Sequence, residues 1–200
     1  MSESILAEES IRSDFGRAVM YARLADTLRD MPVSGYGIEF GGGANKVIQA
    51  MCPAVQWTER NYPEYDVCDA SSWNGGCDVA VLDQVLEHVK RPWEVIRLAR
   101  ASVRQALIVT APFLVKVHDC ENCPHDYWRM TPECLRVLAE EAGFADVHVG
   151  SWGNALANYW HCQYWHTETL LKTVPEASWR EALKDNDPSA PFMVWAVMRP

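Results

Sequence analysis

The residues best suited to chemistry fall in three stretches of the 200-residue chain. The first is Glu39-Phe40-Gly41-Gly42-Gly43-Ala44-Asn45, an acid two positions before a run of glycines. Glycines let a backbone turn sharply and approach a ligand that side chains would exclude. Glu39 would set a carboxylate beside a ligand bearing a positive amino group, although a glycine-rich turn with no ligand has the same appearance. The dinucleotide fingerprint is incomplete, because Lys46 stands at its third glycine, and no P-loop is present. A nicotinamide oxidoreductase therefore ranks last.

The second stretch follows about one strand and one helix later. Glu59, after the apolar AVQW, is placed to accept the hydroxyls of a ribose. A solvated loop acid is the plain alternative, and Asp66 is the substitute. Asp69 with Ala70 stands where an acid would meet an adenine amino group.

The third stretch is the polar loop from Lys116 to Met130. His118, His125, Asp126, Tyr127 and Arg129 lie there, just before a helix start. His125 is the candidate general base, since an unperturbed imidazole titrates near neutrality. Arg129 is suited to hold a substrate carboxylate bidentately, with His118 and Tyr127 beside it. The structural alternative pairs Asp126 with Arg129 and packs Trp128 under the loop. The same loop has metal-ligand character: His118, Cys120, Cys123 and His125, with Cys-x-x-Cys spacing suited to zinc. His161, Cys162 and His166 are irregularly spaced additions. No metal is expected, and a metal-binding variant is kept as an alternative.

These stretches need a scaffold. From Ser10 to Arg29, Ile11, Phe15, Val19, Ala22 and Leu28 recur at helical spacing, closed by Met31-Pro32. Strands are expected at GYGIEF, AVQWTE, CDVAVLD, ALIVTAPF, ADVHVGSW and PFMVWAVM. Helices fall between them, around Lys46 to Met51, across Val95 to Ser102, and at TPECLRVLAEEAGF. In the last, Thr131 caps, Pro132 opens and Gly143 ends the helix. An aromatic helical region runs from about Asn154 to Val174. Alternating strands and helices imply a mostly parallel sheet with an antiparallel edge. The whole chain reads as a single domain, with residues 1–32 an N-terminal helix or lid and 153–190 an aromatic helical insertion near the acceptor site. Trp160 and His161 of that insertion are candidate acceptor contacts.

The composition narrows the partners. With Lys and Arg at 18 against Asp and Glu at 27, net charge -9, a nucleic acid gripped through its phosphates is not expected. The first residues carry acids where a signal peptide needs basic ones, and no apolar run would span a bilayer. A cytoplasmic protein without membrane attachment is expected. The seven cysteines are an odd number and form no disulfide frame, so reduced thiols are expected. Nine Trp, with Trp152, Trp160 and Trp165 late in the chain, suggest an aromatic-walled pocket as well as core packing.

The runs CDVAVLDQVLEHVKRPWEVIRLAR, ALIVTAPF and HDYWRMTPECLRVLAEEAGF, with the EFGGGAN turn, resemble the class I S-adenosylmethionine-dependent methyltransferases. The resemblance covers roughly Gly35 to Trp152. It implies a Rossmann-like, doubly wound α/β fold with a mostly parallel seven-stranded sheet and an antiparallel edge strand. It also implies S-adenosylmethionine as cofactor and S-adenosylhomocysteine as product. Glu39, Gly41, Gly42 and Gly43 would then surround the methionine part, Glu59 the ribose, and Asp69 with Ala70 the adenine. Leu82, Asp83 and Gln84 would lie beside the methionine and the methyl group. Asn45 replaces one glycine of the usual turn.

Glu87 and His88 belong to the same signature. They either pin the start of the following helix or, for His88, supply a base; Asp83 is the other candidate base. The expected reaction is methyl transfer to an oxygen, nitrogen or carbon of a small-molecule acceptor. The alternative from another class is a catalytically inactive binding or scaffold protein of the same fold. The protein partner expected is a second copy of the chain, in a homodimer.

Overall fold

The computed structural model describes residues 15–41, 46–118, 125–164 and 167–200. Helix α1 (Phe15–Asp30) opens the described chain, and its expected start near Ser10 lies outside these residues. The helix is buried on more than one face, with Ala18, Val19, Met20, Ala22 and Leu24 all shut off from solvent. It is clamped against the sheet and its neighbouring helices, which suits its weak amphipathic pattern.

The remaining elements follow in order: β1 (Gly35–Phe40), α2 (Val47–Met51), β2 (Val55–Arg60), β3 (Cys77–Asp83), α3 (Pro92–Ser102), β4 (Val103–Pro112), α4 (Pro132–Ala142) and β5 (Asp146–Trp152). Then come α5 (Ala155–Gln163), α6 (Thr167–Thr173), α7 (Glu176–Lys184) and β6 (Met193–Arg199). Short 3-10 turns occupy Ala70–Trp73 and Leu86–His88. Helix α4 has the ends read from sequence. The Thr131 hydroxyl accepts from the Cys134 N–H at 3.0 Å, and Gly143 takes a left-handed φ of 87° to end the helix.

The strands form one sheet in the order β2-β1-β3-β4-β6-β5. Strands β2, β1, β3 and β4 pair in parallel, and β6 runs antiparallel to both neighbours. The reversed strand therefore sits one position in from the edge, which β5 occupies. Burial explains the order: β6 is apolar along both faces, whereas β5 is half exposed.

A seventh strand is absent among the described residues. Residues 61–69 separate β2 from the first 3-10 turn, too few to leave the sheet and return as another parallel strand, which takes a dozen or more. β2 is consequently an edge.

Strand alternation divides the core into two. Val79, Val81, Ala106, Ile108, Trp195 and Val197 face α1 and the late helices, packing with Phe15, Trp152, Trp179 and Phe192. Ala80, Leu82, Leu107, Val109, Val194 and Ala196 face α3 and α4, packing with Val95, Ile96, Leu135 and Ala139. The same period of two sends Asp83 toward α1 and Leu82 away from it. Helix α7, which the sequence reading did not single out, buries Trp179 and Ala182 in the α1-side core. No helix of the described residues is long and apolar enough to cross a membrane.

Candidate active site

The chain leaves β1 outward to β2 and then returns to β3 on the other side of β1, so strand order reverses between β1 and β3. In open α/β sheets the crevice at such a reversal receives ligands. A cleft of about 590 Å³ opens at the carboxyl ends of these strands. Phe40 and Gly41 line it after β1, Arg60, Tyr62, Tyr65 and Asp66 after β2, and Asp83, Gln84 and Val85 after β3. His88 and Lys90 continue that wall. His118, His125 and Tyr127 come from the segment after β4, and Arg17 reaches in from α1.

Gly41 has a φ of 67°, and a Cβ there would stand 2.8 Å from Val85 Cγ2. Gly42, Gly43 and Asn45 lie outside the described residues. Glu39 is 2% exposed and accepts from Gln49 Nε2 at 2.7 Å. Burial raises its carboxyl above the usual range, and the Gln49 bond partly offsets this. Glu59 pairs in register with Glu39 across the two strands. Its carboxyl meets Lys46 Nζ at 2.5 Å, a bond that lowers its pKa. Neither Glu39 nor Glu59 is among the cleft-lining residues; Asp66, the alternative acid, is.

Asp69 and Ala70 also stand outside the lining. Asp69 caps the 3-10 turn by accepting from the Ser71 N–H at 2.9 Å, and Asp66 to Cys68 form the wall instead. Leu82 is wholly buried in the α3-side core, so only its backbone can border the cleft. Cys68 is no ready nucleophile. Desolvation first, and then the charge of Asp66, push its thiol up to about 11.

The floor is fixed by hydrogen bonds. The Tyr21 hydroxyl donates to Asp83 Oδ2 at 2.6 Å, and the Thr110 hydroxyl donates to Oδ1. Gln84 has a φ of 56°, a left-handed conformation that costs a non-glycine residue about 1–2 kcal/mol. Thr110 holds it there, accepting from the Gln84 N–H at its carbonyl and its hydroxyl, and from Gln84 Nε2 at 2.9 Å. Tyr21, Thr110 and Arg17 were missed in sequence. Signals existed: Arg17 and Tyr21 lie four apart on one face of an apolar helix, and Thr110 is the one hydroxyl within ALIVTAPF.

The LEHV and HDYWR elements lie against each other. The Tyr127 and Trp128 N–H groups donate to the Glu87 carbonyl, Trp128 Nε1 donates to the Val89 carbonyl, and His88 Nδ1 lies 2.7 Å from the His125 carbonyl. That contact makes Nδ1 the protonated nitrogen of a neutral His88 ring. Glu87 is wholly buried, and neither carboxyl oxygen has a hydrogen-bond partner among the described residues. Burial pushes its pKa up to about 8.

Arg129 is a correction to the sequence reading. Its guanidinium donates to both Asp126 oxygens and to the carbonyls of Val115, Lys116 and Trp128. All five donors are used, none remains for a substrate carboxylate, and the residue braces the loop. Burial alone would raise the Asp126 carboxyl, but the bonds from Arg129 and the His118 N–H outweigh it and hold the pKa below its usual value. Since the Asp126 side chain is closed to solvent, Arg129→Gln should cost about 3 kcal/mol by leaving a buried charge unpaired. Urea melts would check this; a loss under about 1 kcal/mol would mean the pair is not structural.

The aromatic insertion is the second correction. Trp160 is buried in the α1-side core, and the His161 ring packs on Phe192 with centroids 4.6 Å apart. Neither lines the cleft. Trp152 is likewise core. Trp165, His166, Cys120 and Cys123 lie outside the described residues. His118 and His125 do line the cleft, but the described residues contain no cluster of three or more metal-ligating side chains.

No protein-family model and no curated protein matches the sequence. Solved structures do match. A SAM-dependent methyltransferase from Archaeoglobus fulgidus is 15% identical, with a TM-score of 0.59 over 98% of this chain and 99% of that one. Phosphoethanolamine N-methyltransferase 2 of Haemonchus contortus, solved with phosphomonomethylethanolamine and S-adenosylhomocysteine, is 15% identical. Its TM-score is 0.52 over 90% of this chain and 52% of that one. The N-terminal domain of EvdMO1, solved in the presence of S-adenosylhomocysteine and D-fucose, is 13% identical, with a TM-score of 0.51 over 90% and 82%. The reversal of strand order beside a glycine-bearing turn, the antiparallel strand next to the edge and these likenesses agree: the chain has the class I S-adenosylmethionine-dependent methyltransferase fold.

Proposed function

We propose that the chain transfers a methyl group from S-adenosylmethionine to a small-molecule acceptor. The observation that carries this reading is the cleft itself, at the strand-order reversal and floored by a glycine whose missing side chain leaves the β1 turn open. The lining suits the cofactor. Gly41, Asp83 and Gln84 would hold its methionine end, and Asp66 with Tyr62 and Tyr65 its nucleoside. Bound there, it would supply an electrophilic methyl whose bond to sulfur breaks as the acceptor's bond to carbon forms, leaving S-adenosylhomocysteine.

The protein's part is placement and proton removal. Tyr21 and Thr110 engage both oxygens of Asp83, and Thr110 engages Gln84, so the floor is held by hydrogen bonds within the protein. His125, His88 and Asp83, the candidate bases, all line the cleft. His88 has Nδ1 committed to the His125 carbonyl, which leaves Nε2 to accept a proton. His125 is exposed, and its ring lies against Tyr127 with centroids 5.3 Å apart.

Calorimetric titration with S-adenosylmethionine and S-adenosylhomocysteine, followed by mass-shift screening of acceptors, tests the reading. Micromolar binding is expected, and folded protein that binds neither would sink it. His125→Ala should keep cofactor affinity within twofold and lower turnover at least tenfold. Full turnover in that variant would pass the role of base to His88.

A further inference from the structure

We infer that the methyl acceptor is a small acid, bound through a carboxylate or phosphate oxyanion on the histidine-bearing wall of the cleft. The inference rests on the methyl-transfer reading for its outcome, not for its geometry. His88, His118, His125 and Tyr127 meet on the β4 side of one cavity, with Lys90 following on the turn and Arg17 entering from α1. The His88 and His118 rings stand edge to face at 5.3 Å. His125, Tyr127, Lys90 and Arg17 can each donate a hydrogen bond, and the last two carry a permanent positive charge. His88 Nδ1 is turned to the His125 carbonyl and His118 Nδ1 to the Lys116 carbonyl and Asp126, so either ring would donate to an anion from Nε2 once protonated.

Two acids near this wall, Asp126 and Glu87, bring no free negative charge to it. Asp126 is held bidentately by Arg129 and accepts from the His118 N–H. Glu87, buried behind His88, holds its proton at neutral pH because burial raises its pKa to about 8. Asp83 belongs to the cleft floor, where it has an oxygen engaged by each of two hydroxyls, which bind a carboxylate without cancelling its charge. On the opposite wall Arg60 donates to the Ser72 and Asn74 carbonyls and lies over the Tyr65 ring, and Asp66 lines the same wall, so that side carries both signs of charge. Lys90 is exposed and has no ion-pair partner among the described residues. A proton-donating, positively charged wall in a chain of net charge -9 is the reverse of what its composition would place there by default. Donors and cations gathered on one wall of a cleft favour an anion over a neutral or cationic acceptor.

The test uses the full chain labelled at histidine Cε1, followed by NMR with and without saturating S-adenosylhomocysteine. The probes are inorganic phosphate and benzoate, with tetramethylammonium as the cationic control. Saturable shifts of the His88, His118 and His125 signals are expected with at least one anion, and which anion acts separates phosphate from carboxylate recognition. Lys90→Glu, a change at an exposed position, should weaken anion binding at least tenfold while S-adenosylhomocysteine affinity stays within twofold.

Should S-adenosylhomocysteine bind while neither anion shifts these signals, or should Lys90→Glu leave anion affinity unchanged, the inference falls and methyl transfer stands. Anion binding without S-adenosylhomocysteine binding would keep the anion site and remove the methyl-transfer reading. Equal response to tetramethylammonium would overturn the charge argument, and no response to any probe or to S-adenosylhomocysteine would remove both.

Discussion

Gly41→Val is expected to abolish S-adenosylmethionine binding, with affinity falling at least a hundredfold. Two effects combine at this position. A φ of 67° is open to glycine and strained for a β-branched residue, and the first added carbon would stand 2.8 Å from Val85 Cγ2. The strain and the clash together should cost about 2–3 kcal/mol of stability, given about 1–2 for the left-handed backbone and a further share for overpacking. The β1 turn must then shift, and with it the wall that faces the ligand. Gly41→Ala carries the same backbone strain with less bulk and should show an intermediate loss. Calorimetry on variants whose circular dichroism matches the wild type decides the matter. Wild-type affinity in a folded Gly41→Val protein would mean that the ligand does not approach this turn.

Glu87→Gln is expected to stabilise the protein above pH 5, by an amount that grows with pH. In the folded chain the buried carboxyl keeps its proton until about pH 8, whereas in the unfolded chain it releases it near the ordinary value of 4.5. Between these values the unfolded state binds fewer protons, so wild-type stability falls as pH rises, by about 1.4 kcal/mol per pH unit from this group alone. Below 4.5 the effect vanishes, and above 8 it is complete, at roughly 5 kcal/mol. Glutamine has nearly the shape of the neutral acid and no proton to lose, so its urea-melt profile should lack this slope. Profiles that run parallel from pH 5 to 8 would show that Glu87 is ionised in the fold and paired with a cation.

The corrections share one cause. Arg129 and His161 were assigned to the acceptor because their types suit recognition and their segments fall near the expected cleft. The sequence gives a side chain's capacity to bond, and the packing decides whether that capacity is already used. Arg129 uses all five donors on its own loop, and His161 spends its ring on Phe192. Asp69, with the right chemistry at nearly the right place, is turned to cap its own 3-10 turn while Asp66 faces the cleft.

Sequence alone determined the six strands, the helix ends at Thr131 and Gly143, and the glycine turn after β1. These depend on local causes: alternating apolar residues, a capping hydroxyl and a backbone position that only glycine adopts without strain. It also marked LEHV and HDYWR as belonging to one architecture. Tertiary structure decided the rest, because its causes are non-local. The short span between β2 and the first 3-10 turn makes β2 an edge, and the fully apolar β6 enters beside β4 rather than at the rim. Arg17 and Tyr21 meet the cleft only because α1 folds across the carboxyl ends of strands that come later in the chain. Which histidines share a wall, and which acids there are already engaged, follows from that packing and from no spacing in the chain.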